Sequence, residues 1–198
     1  MSDSILPTDH RPSSVLFLTP GLANDSSETC HGLLSVEEPG SLNVLWVSYT
    51  DAPSSRAAAF EDHAGTPAAA AGILIGDTAS AGGKGSLDTL ETVSAPADLT
   101  GLGIAISERL RDWAETGGQT VVCFDSLTAL MQYVDIETIY EFLHVLTGRL
   151  YTFDAVGHFH MDPDAHDDQL VEQVKTTFDA FVLKEADGPV KYLSGQLL

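Results

Sequence analysis

Positive charge is what this chain has least of: 9 lysines and arginines stand against 29 aspartates and glutamates in 198 residues, a formal net charge of −20. The shortage excludes the basic patch that phosphate contacts with nucleic acid require, so no nucleic-acid role is expected. It does not imply disorder, because 43% of the residues are hydrophobic and disordered acidic chains are poor in apolar residues. A folded surface with this surplus repels itself at low ionic strength and is relieved as the Debye length falls to about 3 Å near 1 M salt. The acids are spread along the chain rather than bunched in a tail. Lysine is confined to Lys84, Lys175, Lys184 and Lys191. Both features suit a surface adapted to concentrated salt better than a single acidic docking site.

Cysteine is nearly absent too. Cys30 and Cys123 cannot make a disulfide framework, and Cys123, inside an apolar run, reads as a small core residue. Cys30 adjoins His31, but neighbours on a helix do not face each other, so a catalytic thiol is not expected there. There is no basic-then-apolar leader and no uninterrupted apolar segment of about 18 residues. Export and membrane insertion are therefore not expected, and the cytoplasm is the expected location.

What is present alternates between strand and helix patterns. Residues 1–12 are polar and proline-bearing, expected as a frayed tail, and 13–198 read as one domain. Val15-Leu16-Phe17-Leu18 is a first strand, Ser26 to Leu34 a short helix and Leu42 to Tyr49 a second strand. Pro53 starts a short helix through Phe60, Ile73-Leu74-Ile75-Gly76 is a third strand, and Ala79 to Leu87 is a flexible loop. Glu91 to Ser94 is a further short strand, and Asp98 caps a helix to about Glu115 with Leu102, Ile106, Leu110 and Trp113 at helical spacing. Thr120 to Asp125 is a continuous apolar run closed by an acid, the pattern of a parallel strand buried on both faces. Asp135 caps a helix striped by Ile136, Ile139, Leu143, Leu146 and Leu150. A strand at Ala155 to His160, a helix from about Asp167 to Phe178, and a closing antiparallel pair, Ala180 to Lys184 and Val190 to Leu193, complete the chain. Strands separated by helices imply an α/β fold with a mostly parallel sheet covered on both faces.

The stretch "PGLANDSSETCHGLL", Pro20 to Leu34, lies between first strand and first helix, where a phosphate-binding loop sits. Such a loop needs G-x-x-x-x-G-K-[ST]: glycines let backbone N–H groups reach the phosphates, lysine neutralises them, and the hydroxyl binds magnesium. Gly21 is present, but no lysine follows, and Asp25 and Glu28 bring negative charge instead. Farther on, "VVCFDSLTAL", Val121 to Leu130, resembles the Walker B strand of RecA-like ATPases, especially the branch containing the circadian-clock ATPase KaiC. More closely, with "SAPADLTGLGIAISERL" and "DPDAHDDQ", the chain resembles a group of haloarchaeal RecA-like proteins with degraded P-loops.

That resemblance implies a RecA-like three-layer αβα fold and a residual nucleotide site at Gly21, Asp125 and Ser126, with Asp125 in the position that holds the magnesium shell. Where the KaiC-like enzymes carry a paired glutamate as base, this chain reads Tyr49-Thr50-Asp51. Cradle and base are both altered, so no catalytic residue and no bound cofactor are expected. Asp125 then caps its own turn, and Ser126 and Thr128 start a helix. The implied function is a non-catalytic pseudo-ATPase acting in regulation or signalling through protein–protein contacts, self-association included. The alternative is an atypical ATPase, or nucleotide-binding protein, using the residual Walker B Asp125 and taking its cation from a neighbouring subunit or from Lys84.

A second candidate is "GHFHMDPDAHDD", Gly157 to Asp168. On a strand, His158 and His160 point to one face, and His166 with Asp162 or Asp164 would close a divalent-metal site. Against this, acidic loops are expected throughout such a chain, Pro163 fits a turn and Asp167 an N-cap. The histidines are accordingly read as structural, and no metal is expected.

The charge surplus generates a first prediction. Lowering KCl from molar to dilute levels at neutral pH should cause loss of structure, read by circular dichroism across a salt series. Equal thermal midpoints at both ends of the series would remove the reading of a salt-adapted surface.

Overall fold

Alternation along the central strands sets the architecture. In β1 (Ser14–Leu18) and β5 (Gln119–Asp125) successive side chains enter different cores: Val15, Phe17, Val121 and Cys123 one of them, Leu16, Leu18, Val122 and Phe124 the other. A strand with both faces in dry cores must be apolar throughout, which is why these runs are continuous rather than alternating. The same division holds in β2 (Leu42–Ser48) and β6 (Val156–Met161). The structure, a computed structural model, describes residues 5–7, 10–21, 26–76, 84–185 and 188–194.

With β3 (Ala69–Ile75), β4 (Thr89–Val93), β7 (Ala180–Lys184) and β8 (Val190–Ser194), the strands form one sheet in the order β4-β3-β2-β5-β6-β1-β7-β8. All neighbours are parallel except the edge hairpin β7–β8. Helices α1 (Ser26–Leu34) and α2 (Pro53–Ala64) bury Cys30, Leu33, Leu34, Ala57 and Phe60 against one face. On the other face lie α3 (Leu99–Thr116), α4 (Leu127–Leu130), α5 (Ile136–Thr152) and α6 (Asp168–Lys175). The fold is a three-layer α/β architecture with a mostly parallel sheet. None of the described helices is long and apolar enough to cross a membrane.

Helix starts are fixed by local chemistry. The carboxylates of Asp98, Asp135 and Asp167 accept hydrogen bonds from the backbone N–H groups of Gly101, Thr138 and Leu170 at 2.8, 2.9 and 2.8 Å, satisfying donors that a helix leaves open at its first turn. Leu102, Ile106, Leu110 and Trp113 in α3, and Ile139, Leu143, Leu146 and Leu150 in α5, are buried as their spacing predicts.

Three expectations need correction or qualification. The third strand begins at Ala69 rather than Ile73, because Ala70, Ala71 and Gly72 carry little β propensity of their own; small size is what the site requires. Of the expected N-terminal tail, Leu6 is buried, and Ile5 packs against Gly32. Arg11 Nη2 donates to the Val36 carbonyl at 3.1 Å, tying this segment down. The expected loop from Ala79 falls, through residue 83, outside the described residues.

Glycine positions test the packing. A Cβ at Gly72 would meet Pro53 at 2.6 Å, Leu87 at 2.9 Å and Leu90 at 3.0 Å. Gly72→Ala should therefore cost about 1–3 kcal/mol through overpacking. At Gly148, in α5, nothing lies within 4 Å, so Gly148→Ala should stabilise by about 0.5–1 kcal/mol through helix propensity. Urea unfolding in molar KCl reads both; shifts of the same sign would contradict the packing described.

Candidate functional site at the strand ends

Parallel pairing brings the C-terminal ends of β1, β2, β5 and β6 to one edge of the sheet, with Ser48 beside Asp125 and Leu18 beside Met161. A cavity of about 230 Å³ opens there, lined among others by Gly21, Arg56, Asp125, Ser126, Thr128 and Asp162. Open α/β sheets place ligands beyond the carboxyl ends of their strands. Gly21 and the adjacent pair Asp125 and Ser126, far apart in sequence, thus do meet around one cavity.

Several of the cavity's polar groups are partnered within the chain, while Thr19 Oγ1 and Arg56 Nε are buried there without a hydrogen-bond partner. Arg56, on α2, forms an ion pair with Asp125 through Nη2, with the two side chains 22% and 13% exposed. The same nitrogen lies 3.4 Å from Asp51 Oδ2, whose side chain is 66% exposed. Across the cavity the Gly21 N–H donates to Asp162 Oδ2 at 2.9 Å. The other oxygen of Asp162 accepts from the Asp164 N–H at 2.9 Å, capping the turn Pro163–Ala165. Ser126 Oγ accepts from the Ala129 N–H at 3.1 Å, so it caps α4. Thr128 Oγ1 accepts from the Asp162 N–H at 2.9 Å and lies 3.2 Å from His166 Nε2.

Two roles therefore differ from the sequence reading. The negative charge against the Gly21 amide comes from Asp162, not from Glu28, which is exposed in the first turn of α1; Asp25 lies outside the described residues. The cation at Asp125 is Arg56 of the same chain, while Lys84 is exposed and does not line this cavity. Nothing local marks Arg56, which is 69 residues from its partner.

Next to these groups is a buried cluster. Cys30 on α1, Cys123 on β5, and His158 and His160 on β6 place their ligand-type atoms within 4.8 Å of one another. Cys30 Sγ lies 3.7 Å from Cys123 Sγ and 3.2 Å from His158 Nε2; Cys123 Sγ lies 3.4 Å from His160 Nε2. The strand period puts both histidines on one face, and the register sets Cys123 directly opposite His158. Phe17 closes the same face, its ring edge-on to both imidazoles at centroid distances of 6.5 and 5.0 Å. Both thiols are free and buried.

Burial pushes the His158 pKa down, which favours neutral imidazole. The hydrogen bond with Cys123, reinforced by burial, pushes the Cys30 thiol up; the same hydrogen bond and the two imidazoles pull Cys123 down.

The histidine candidates named from the sequence, where no metal was expected, keep different company in the fold. His158 and His160 do share a face, but the potential ligands beside them are two cysteines, not His166 with Asp162 or Asp164, which belong to the turn at Thr128. Cys123 is buried as expected, yet it is not a lone core residue. It meets a cysteine 93 residues away in the chain.

Among solved structures, a protein of Pyrococcus horikoshii OT3, described as a structural study, is similar to this chain with a TM-score of 0.59 at 8% identity. The likeness covers 92% of this chain and 87% of that one. At that identity it is a likeness of fold alone. No curated protein matches the chain. Residues 12–183 match the family of unknown function DUF7504. Because that span runs from the start of β1 into β7 and takes in the whole cavity and the buried cluster, the chain belongs to that family.

Proposed function

We propose that this chain is a RecA/KaiC-like pseudo-ATPase: a cytoplasmic domain that keeps the sheet and strand-end cavity of such enzymes but works in regulation or signalling through contacts with other proteins. The observation that carries this reading is the ion pair between Arg56 and Asp125. A Walker B carboxylate serves magnesium only when it is available to the metal's shell, and magnesium is held mainly by one or two carboxylates together with substrate phosphates. Here the carboxylate is already neutralised from within the chain.

The other half of the site agrees. A phosphate approaching the Gly21 amide would meet the carboxylate of Asp162 bonded to it, and two anions at one donor repel. Phosphoryl transfer depends on positioning and on charge stabilisation, so a cavity that presents carboxylates to phosphates lacks the interactions the reaction needs. For contact with partners, the helical layer offers a groove of about 350 Å³ between α3 and α5. Ile104 and Val145 on its walls are 53% and 54% exposed, which suits an apolar protein contact.

Calorimetric titration with Mg-ATP in molar KCl, paired with a phosphate-release assay on the same sample, should show neither micromolar binding nor turnover. Binding in that range with turnover abolished by Asp125→Ala would replace this reading with an atypical ATPase. The ion pair itself has a stability signature. Arg56→Ala leaves a partly buried carboxylate without its partner and should cost about 1–3 kcal/mol in urea unfolding. The double variant Arg56→Ala, Asp125→Ala should recover part of that loss, with a coupling of about 0.5–3 kcal/mol. Strict additivity of the two single substitutions would mean that the pair does not hold the site.

A further inference from the structure

We propose that Cys30, Cys123, His158 and His160 form a closed tetrahedral site for one zinc-class divalent ion, which clamps α1 to β5 and β6. The donor set is the first argument: two thiols and two imidazoles are the soft and borderline ligands that suit zinc in a four-coordinate structural site. No carboxylate belongs to the cluster.

Geometry is the second. An ion with bonds of about 2.3 Å to sulfur and about 2.0–2.1 Å to nitrogen has tetrahedral edges of roughly 3.8 Å between sulfurs and roughly 3.6 Å between sulfur and nitrogen. The sulfur–sulfur distance is 3.7 Å and two sulfur–nitrogen distances are 3.2 and 3.4 Å, with every remaining pair within 4.8 Å. The donors come from three separate elements and converge on one point.

Burial is the third. Cys30, Cys123 and His158 are at most 3% exposed and His160 is 8% exposed. Sulfur is a weak hydrogen-bond partner, so imidazoles whose Nε2 atoms are paired with thiols are poorly compensated for leaving water. One ion satisfies all four donors together. Binding releases the two thiol protons to solvent, and the two thiolates cancel the ion's double charge, leaving a neutral unit in the core. With four protein ligands no coordination position stays open for substrate, which makes the site structural rather than catalytic. This inference does not depend on the pseudo-ATPase reading: an ATP-hydrolysing chain would present the same cluster.

The untagged full chain, purified reduced in molar KCl, should contain zinc at about one ion per chain by elemental analysis. After chelation, cobalt chloride should restore a visible spectrum of tetrahedral cobalt with a thiolate-to-cobalt charge-transfer band. Cys30→Ser and His158→Ala should each lose the ion and the band, while His166→Ala, outside the cluster, should keep both. Zinc should raise the thermal midpoint of the chelated wild type and leave that of Cys30→Ser unmoved. Should the ligand variants fail to fold, the cobalt spectrum of the wild type decides. A reduced wild type that takes up neither zinc nor cobalt, or an octahedral cobalt spectrum, would overturn the proposal. So would a chain whose mass is lower by two hydrogens because Cys30 is joined to Cys123.

Discussion

Two-sided burial of the central strands is the constraint from which the rest follows. Every side chain of β1, β2 and β6 is buried, so a polar residue there must find its partner inside the protein or lie near a strand end. Those near the strand starts do so by reaching beyond the sheet. Ser14 Oγ donates to Asp179 Oδ2 at 3.1 Å, and Asn43 Nδ2 donates to the Gly117 carbonyl at 2.9 Å. Cys123, His158 and His160 lie farther along and have no such route. Their partners are one another and Cys30, and the alternation that sends Phe124 and Phe159 to one core sends all three to the other.

The same sheet decides what the strand ends can do. Parallel pairing delivers Asp125, Gly21 and Asp162 to one cavity whether or not a nucleotide is to be held there. What differs is the charge placed among them. An ATPase leaves its carboxylate available and supplies a cation for phosphate. In this chain the cation, Arg56, is spent on the carboxylate, and the backbone amide of Gly21 receives a side-chain anion. Each exchange satisfies a polar group internally, and each removes a contact a phosphate would use. On the proposed pseudo-ATPase reading, the architecture of a nucleotide site and its chemistry are separable, the first fixed by strand pairing and the second by a few side chains.

Local signals were readable in the sequence and long-range ones were not. The caps Asp98, Asp135 and Asp167 and the stripe of α5 depend on residues three or four apart, so spacing alone exposes them. The start of β3 was missed because Ala70, Ala71 and Gly72 were shaped by what packs on them rather than by strand preference. At the site, the shared face of His158 and His160 was legible from the period of a strand. Cys30 was not, for it reaches Cys123 only after a helix has folded back over the sheet. Arg56 was invisible for the same reason: neither its helix nor its neighbours hint that Asp125 lies across from it.

Charge ties the surface to the buried cluster. A chain of net charge −20 draws cations to its carboxylates, and in concentrated salt those are hard ions that bind oxygen. A metal site built from surface acids would be contested by every such ion in the medium. Thiolate and imidazole donors compete poorly for hard cations and well for zinc, and enclosure in the core removes the water that a hard ion would keep. Selectivity under those conditions therefore calls for a buried site without carboxylates. The cluster of Cys30, Cys123, His158 and His160 holds no carboxylate and is buried, although Cys30 and His160 also border the strand-end cavity, and Asp162, the nearest candidate oxygen ligand in the sequence reading, is instead engaged by the Gly21 amide.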